Sequence, residues 1–112
     1  MDELENLNVA VVRRYFDGCN TGDIEQLMST LAPEVTHYFL PSSFSLIRGA
    51  EHLARYWRSW KENLEPVWKH DHVLARGDEV VAEWSVIFTP PGTHNRLLNR
   101  GTEWYACVTR AS

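Results

Sequence analysis

Hydrophobic residues recur at helical spacing in three segments of the chain. Apolar side chains three or four positions apart predict a helix over residues 3–19, a short one after it, and a third over residues 49–64. The stripe of the first helix comprises Leu4, Leu7, Val11, Val12, Tyr15, Phe16 and Cys19. Gly22 suits the turn that ends this helix, and Thr21 or Asp23 can cap the next one.

In four other segments the side chains alternate between two faces, as they do in a β-strand. The predicted strands cover residues 34–40, 67–76, 80–89 and 96 to about 110. The residues expected to share a face are Val35, His37 and Phe39 on the first strand, Trp68, His70, His72 and Leu74 on the second, and Gly101, Glu103 and Tyr105 on the last. Because no helix separates the last three strands, the order of elements predicts an α+β domain.

The composition is that of one globular domain with many large rings. The 112 residues are enough for a single domain, residues 1–112, and not for two. Aromatic residues make up 12% of the chain, and five of them are Trp. Large rings bury much area each, so they can build a core or line a cavity. The predicted loop at 41–45 adds Phe44, an aromatic side chain suited to the rim of a pocket.

Charge and cysteine content narrow the class of function. A formal net charge of −4 argues against nucleic acid, whose phosphates need a basic surface. The sequence has no apolar stretch long enough to span a membrane, and its acidic start lacks the order of a signal peptide. Cys19 and Cys107 have no metal-type spacing, so two reduced thiols in a cytoplasmic protein are expected, with a single bridge between them as the alternative.

Several motifs resemble those of the SnoaL-like branch of the nuclear transport factor 2-like superfamily. They are residues 11–23 (VVRRYFDGCNTGD), residues 47–49 (IRG), residues 77–84 (GDEVVAEW) and residues 100–105 (RGTEWY). The branch also holds ketosteroid isomerase, scytalone dehydratase and limonene epoxide hydrolase. The resemblance implies a cone-shaped α+β barrel, with three helices packed on a curved antiparallel sheet around a hydrophobic pocket. It also implies a homodimer that pairs through the sheet, and a last strand that is either missing here or replaced by a partner chain.

Three polar residues on inward faces are candidates for acid–base chemistry. By resemblance, Tyr15 falls where ketosteroid isomerase keeps its oxyanion-hole tyrosine, and Glu103 lies near its protonated aspartic acid, so both could polarise a substrate oxygen. Phe39 replaces the general base of that enzyme, and His37, on the same face, could stand in for it. The structural alternatives are a core tyrosine, a solvated strand histidine, and a carboxylate paired with a nearby arginine on the surface.

His72 is the fourth catalytic candidate. By resemblance it falls at a catalytic histidine of scytalone dehydratase and could move a proton. Asn20 occupies the aspartate position of that enzyme, so the match is partial. The alternative places His70 and His72 on the outer face of the sheet. No third ligand follows from the spacing, so no metal site is predicted. Epoxide hydrolysis is not expected, because Trp84 and Val86 stand where those hydrolases keep two water-activating residues.

The remaining candidates are ring side chains. The predicted ligand contacts are Phe39, Trp57, Trp60, His70 and Tyr105. The predicted aromatic core comprises Tyr56, Trp57, Trp60, Trp68, Trp84 and Trp104. Three functions remain open: a cofactor-independent lyase, isomerase or cyclase for a small hydrophobic cyclic molecule, a non-catalytic binding protein with the same pocket, or a dimerisation module. The sequence identifies no substrate.

Overall fold

The computed structural model describes residues 1–39 and 45–108. Its helices are α1 (Glu3–Thr21), α2 (Ile24–Thr30) and α3 (Ala50–Leu64). Its strands are β1 (Thr36–Tyr38), β2 (Leu46–Arg48), β3 (Val67–Arg76), β4 (Glu79–Phe88) and β5 (Leu97–Ala106). The predicted α+β architecture is therefore confirmed, with strand β2 as an element that the sequence pattern did not indicate. The predicted rim residue Phe44 lies outside the described residues.

The helix boundaries follow from local capping chemistry. Asp2 closes the N-terminus of α1 in a capping box with Glu5, in which each side chain accepts the backbone N–H of the other residue. Gly22 ends α1 in the left-handed conformation with φ of 72°, which only glycine adopts without strain. Asp23 then caps α2 by accepting the backbone N–H of Gln26.

The strands form two antiparallel groups. Strands β3, β4 and β5 lie in that order in one sheet, and β1 pairs with β2 in a separate hairpin. Among the described residues, β5 pairs only with β4, and β1 pairs only with β2. The resemblance had implied a further strand beyond β5; within 1–39 and 45–108 the last strand is β5 itself.

The three helices cover one face of the three-stranded sheet and enclose the core. The buried residues of the main cluster are Tyr15, Phe16, Cys19, Leu27, Ile47, Leu53, Ala54, Trp57, Trp68 and Val86. Asn20 fixes the end of α1 to the start of β3, because its side-chain amide both donates to and accepts from the backbone of Trp68. The core therefore holds a helix end and a sheet edge in one fixed register.

A β-bulge at Asp71 reverses the faces of β3 halfway along the strand. His70 pairs with Trp84 and His72 with the adjacent Glu83, so one extra residue separates the two pairs. Trp68 and His70 consequently point towards the helices, whereas His72 points away from them. The expectation that Trp68, His70, His72 and Leu74 share one face is therefore wrong, because simple alternation does not continue through a bulge.

Two further expectations about burial are also wrong. Trp104, assigned to the aromatic core, is 70% exposed on the outer face of β5. Leu4, Leu7 and Val11, assigned to the apolar stripe of α1, are exposed as well, whereas Val9 is buried. The buried side of α1 is thus rotated relative to the predicted stripe over the first half of the helix. None of the described helices is both long enough and apolar enough to cross a membrane.

Candidate functional site

A cavity of about 960 Å³ lies between the helices and the inner face of the sheet. Its walls are mainly aromatic: Tyr15, Phe16, Phe39, Tyr56, Trp57, Trp60, Trp68, Trp84 and Tyr105 all line it. It reaches the edges of β5 and β1, where residues from both faces of these two strands contribute to the lining. A concave, mostly apolar space with a few polar groups is the usual form of a small-molecule site.

Tyr15 and Trp57 form a buried hydrogen bond across the helices. The indole Nε1–H of Trp57, on α3, donates to the hydroxyl oxygen of Tyr15, on α1. Both side chains line the cavity and are less than 9% exposed. Because the oxygen of Tyr15 accepts from Trp57, its own hydrogen is left for donation to another acceptor. Burial raises the pKa of Tyr15 well above 10, so it remains a hydrogen-bond donor at neutral pH.

His37 and Glu103 meet inside the cavity. His37 Nε2 on β1 lies 3.7 Å from Glu103 Oε1 on β5, with side chains 12% and 24% exposed. Their strands do not pair, so this contact joins the hairpin to the sheet across the cavity. The alternative in which Glu103 pairs with a surface arginine does not occur, since Arg96 and Arg100 bond to other groups.

Burial favours the uncharged forms of both His37 and Glu103. It raises the pKa of Glu103 from 4.5 to about 7, opposed by the nearby Tyr105 hydroxyl. It lowers the pKa of His37 from 6.5, because the cavity disfavours the imidazolium. The Tyr105 hydroxyl is buried and makes no hydrogen bond of good geometry with a described residue. Near neutral pH a large fraction of the molecules therefore has a protonated carboxyl group beside a neutral imidazole.

Seven of the nine predicted site residues line this cavity. They are Tyr15, His37, Glu103, Phe39, Trp57, Trp60 and Tyr105. His70 does not line it; its ring lies 3.8 Å from that of Phe16, and burial, with Arg13 nearby, lowers its pKa. His72 is on the outer face, where its side chain is 79% exposed and its Nδ1 lies 2.9 Å from Glu83 Oε1. The bulge at Asp71 thus removes His72 from the other three catalytic candidates.

Three further residues line the cavity, although the sequence pattern indicated only a role in the core for them. Cys19, one helical turn after Tyr15, lines the cavity at 2% exposure, and burial raises the pKa of its thiol. The spacing of four from Tyr15 was the signal that could have placed it there. Trp68 and Trp84, predicted as core, also line the cavity. Cys19 and Cys107 are both free, so the alternative of a disulfide between them is excluded. No group of three metal-ligating side chains occurs in the described part of the chain.

The chain belongs to the SnoaL-like domain family. The family profile matches residues 12–109, which is most of the chain and includes every residue of the Tyr15, His37 and Glu103 set. The fold and the family that the sequence motifs had suggested are therefore confirmed. No protein with a curated description matches this sequence.

Solved structures with the same fold include proteins of several kinds. A protein of unknown function with a cystatin-like fold from Methylobium petroleophilum is 30% identical with a TM-score of 0.77, over 89% of this chain and 65% of that one. An LEH-like epoxide hydrolase from M. tuberculosis is 15% identical with a TM-score of 0.81, over 96% of this chain and 74% of that one.

A third similar structure is SalBIII, an epoxide hydrolase/cyclase-like enzyme in pyran ring formation in the polyether salinomycin. It is 18% identical with a TM-score of 0.77, over 91% of this chain and 81% of that one. At these identities the likeness establishes the fold, which some of these proteins use for enzymatic chemistry. This chain spans less than two thirds of the Methylobium protein. A shared fold does not by itself determine function, which depends on the residues of the site.

Proposed function

We propose that this protein catalyses cofactor-independent acid–base chemistry on a small, hydrophobic, cyclic molecule bound in the cavity. The observation that carries the proposal is the 3.7 Å separation of His37 Nε2 and Glu103 Oε1 within aromatic walls. Burial moves the pKa values of the two groups in opposite directions, so that an acid and a base coexist near neutral pH. Such a pair suits proton transfer, because each group is in the protonation state that its role needs.

The reaction class that fits is removal of a proton from the carbon next to a ring carbonyl. His37 accepts the proton from carbon, and the electron pair moves onto the carbonyl oxygen. Tyr15 and protonated Glu103 donate hydrogen bonds to that oxygen, where negative charge develops. Return of the proton from the His37 imidazolium to the far carbon of a conjugated double bond gives an isomerase. Expulsion of a hydroxyl group, which takes that proton and leaves as water, gives a lyase. Attack of the enolate carbon on a second carbonyl of the same molecule closes a ring, and the resulting alkoxide takes the proton from the imidazolium, which gives a cyclase.

A non-catalytic binding protein is the second candidate, and one observation favours it. The Tyr15 hydroxyl already accepts a hydrogen bond from Trp57, which stabilises the cavity wall whether or not a reaction occurs. A dimerisation module with a solid interior is the weaker alternative, because the interior contains a cavity of about 960 Å³. The two free thiols suit a reducing compartment, and we propose that the protein is cytoplasmic.

Exchange of ketone protons with deuterium oxide tests the reaction directly. Tetralone, a bicyclic ring ketone, is incubated with the protein in deuterium oxide and followed by proton NMR. We expect exchange at the carbon next to the carbonyl to exceed the buffer rate. His37→Gln and Glu103→Gln should abolish this excess, whereas Glu34→Gln, at an exposed carboxylate of the cavity lining, should keep it.

Exchange at the buffer rate with the wild type would overturn the proposed chemistry. In that case the binding of tetralone is decided separately, by the shift that it causes in the melting temperature. Binding without exchange would leave the ligand-binding protein as the function, and Glu103→Gln would then alter affinity alone.

A further inference from the structure

The polar lining of the cavity is acidic. Two of its residues, Glu34 and Glu103, carry carboxyl groups, and the described lining contains no lysine or arginine. Its one imidazole is His37, and burial disfavours the protonated form of that ring. A negatively charged ligand would therefore meet no cation on these walls, whereas a positively charged one would meet a carboxylate.

Aromatic side chains share the cavity with the Glu103 carboxyl group. Tyr105 is on the same face of β5, and Tyr15 lies with its ring centroid 6.2 Å from that of Tyr105. His37 lies 3.7 Å from the carboxylate oxygen, and Trp57 is 5.7 Å from His37 between ring centroids. The faces of Trp and Tyr rings attract a cation within about 6 Å of their centroids, most strongly where water is excluded.

We propose that the cavity also binds lipophilic amines, whose ammonium group pairs with the ionised carboxylate of Glu103 while the hydrocarbon part lies against the surrounding rings. A carboxylate that contacts a desolvated ammonium within a cavity of aromatic rings is a combination that recognises an organic cation. This inference uses the cavity of the proposed function but does not depend on its reaction. The protonated Glu103 serves a carbonyl ligand, and the ionised form serves an amine.

The two ligand classes therefore respond to pH in opposite directions. The titratable groups that face Glu103 are Tyr15 and Cys19 from α1, His37 from β1 and Tyr105 from β5. Burial holds both phenols and the thiol of Cys19 in their neutral forms at pH 6–8. Glu103 ionises near pH 7, so its carboxylate forms over this interval. Below pH 7, binding of an ammonium group must displace the proton from the Glu103 carboxyl group.

Isothermal titration calorimetry with matched bicyclic probes tests the proposal. Aminotetralin, tetralone and tetralin carboxylate have the same ring system and differ in charge. We expect aminotetralin to bind about tenfold more tightly at pH 8 than at pH 6, since the ionised fraction of Glu103 changes by about that factor. At pH 6 its heat of binding should vary with the ionisation heat of the buffer, because a proton is released.

Two variants distinguish the effect of the ion pair on amine binding from an effect of altered packing. Glu103→Gln should weaken aminotetralin binding about tenfold at pH 8 and remove its pH dependence. Glu25→Gln, at an exposed carboxylate of α2 outside the cavity, should leave both the affinity and its pH dependence unchanged. Tetralin carboxylate should bind least at either pH. Equal affinity for aminotetralin at pH 6 and pH 8, or no effect of Glu103→Gln, would overturn the proposal. If tetralone still binds in that case, the proposed function is unaffected.

Discussion

The indole N–H of Trp57 donates a hydrogen bond to the hydroxyl oxygen of Tyr15, and so connects helix α3 to helix α1 at the wall of the cavity. Both partners are buried, so if this bond were removed, neither could form a hydrogen bond to water in its place. The bond therefore contributes to the stability of the fold and also keeps the Tyr15 hydrogen directed away from Trp57.

The first prediction concerns this pair. Tyr15→Phe leaves the buried indole N–H without an acceptor and should lower the free energy of unfolding by about 1–3 kcal/mol. Combined with Trp57→Phe, the loss should be smaller than the sum of the two single losses by about 1 kcal/mol, because the bond is removed only once. Urea unfolding measures all three variants. Trp60 does not bond to Tyr15, so the stability losses of Trp60→Phe and Tyr15→Phe should add in the double variant. If the losses of Trp57→Phe and Tyr15→Phe also added, the result would contradict the prediction.

The second prediction follows from the raised pKa of Glu103. The unfolded chain ionises this group near pH 4.5, whereas the folded protein keeps the proton until about pH 7. Between these values the folded state binds more protons, so stability should fall as pH rises and become constant above pH 7. The contribution of this one group to the fall is about 3 kcal/mol.

Glu103→Gln isolates that contribution. The amide cannot ionise, so the variant should gain stability relative to the wild type as the pH is raised from 4.5 to 8. Unfolding in urea at several pH values measures the difference. A constant difference between the two proteins across this range would show that the carboxyl group has an ordinary pKa in the fold.

The third prediction contrasts two histidines. His72→Ala should change stability by less than about 0.5 kcal/mol, because the residue and its partner Glu83 are exposed. It should also leave tetralone binding unchanged. His37→Ala removes a side chain that is 12% exposed in the cavity wall and should affect both measurements. A loss of ligand affinity in His72→Ala that equals the loss in His37→Ala would contradict the position of the bulge.

The fourth prediction concerns Gly101, which lies beneath the ring of Trp84. A Cβ atom at this glycine would approach the Trp84 ring to 2.5 Å, closer than van der Waals contact allows. Gly101→Ala should therefore destabilise the protein by about 1–3 kcal/mol. Adding Trp84→Phe should recover part of the loss, because the smaller ring vacates the contact. The melting temperatures of the single and double variants decide the outcome.

The fifth prediction concerns assembly through the outer face of the sheet. Leu74, Val81 and Trp104 form one apolar row across the three strands there, and Val67, Ile87 and Leu98 form a second. The strip between the rows carries both signs of charge, including the pair of Arg100 and Asp71. A surface with apolar rows and charges of both signs suits a second copy of itself.

Sedimentation velocity tests this expectation of a homodimer. The wild type should sediment as a dimer, and Trp104→Glu should shift it to a monomer by placing a charge within the first apolar row. Ser85→Ala, in the polar strip, should leave the dimer intact. A monomeric wild type at all concentrations would exclude this assembly.

Alternation and helical spacing were sufficient to predict the elements that build the cavity. The period of two along β5 correctly placed Glu103 and Tyr105 on the inner face, and the same period requires Trp104 to lie outside. Its assignment to the core followed the hydrophobicity of tryptophan, whereas the structure follows the geometry of the strand. The inner position of His37 was predicted by the same rule.

The sequence could not predict which rows of α1 are buried or where β3 changes face. Leu4 and Leu7 fit a helical stripe, but the sheet reaches that part of α1 only through residues such as Val9. The alternation from His70 to His72 contains no glycine or proline that would signal a bulge. The bulge becomes evident only in the pairing with β4, where Asp71 has no partner. Contacts between distant segments decide both features.

The unpaired residue at Asp71 has an evolutionary consequence for this strand. Because His70 and His72 already pair with the adjacent residues Trp84 and Glu83, deleting Asp71 would restore uninterrupted alternation without turning the second half of β3 over. Val73 and Ala75 would still face α1. The loss of this one codon would thus keep the hydrophobic lining of the helix contact. Length variation among relatives should consequently be tolerated at this position better than at its neighbours in β3.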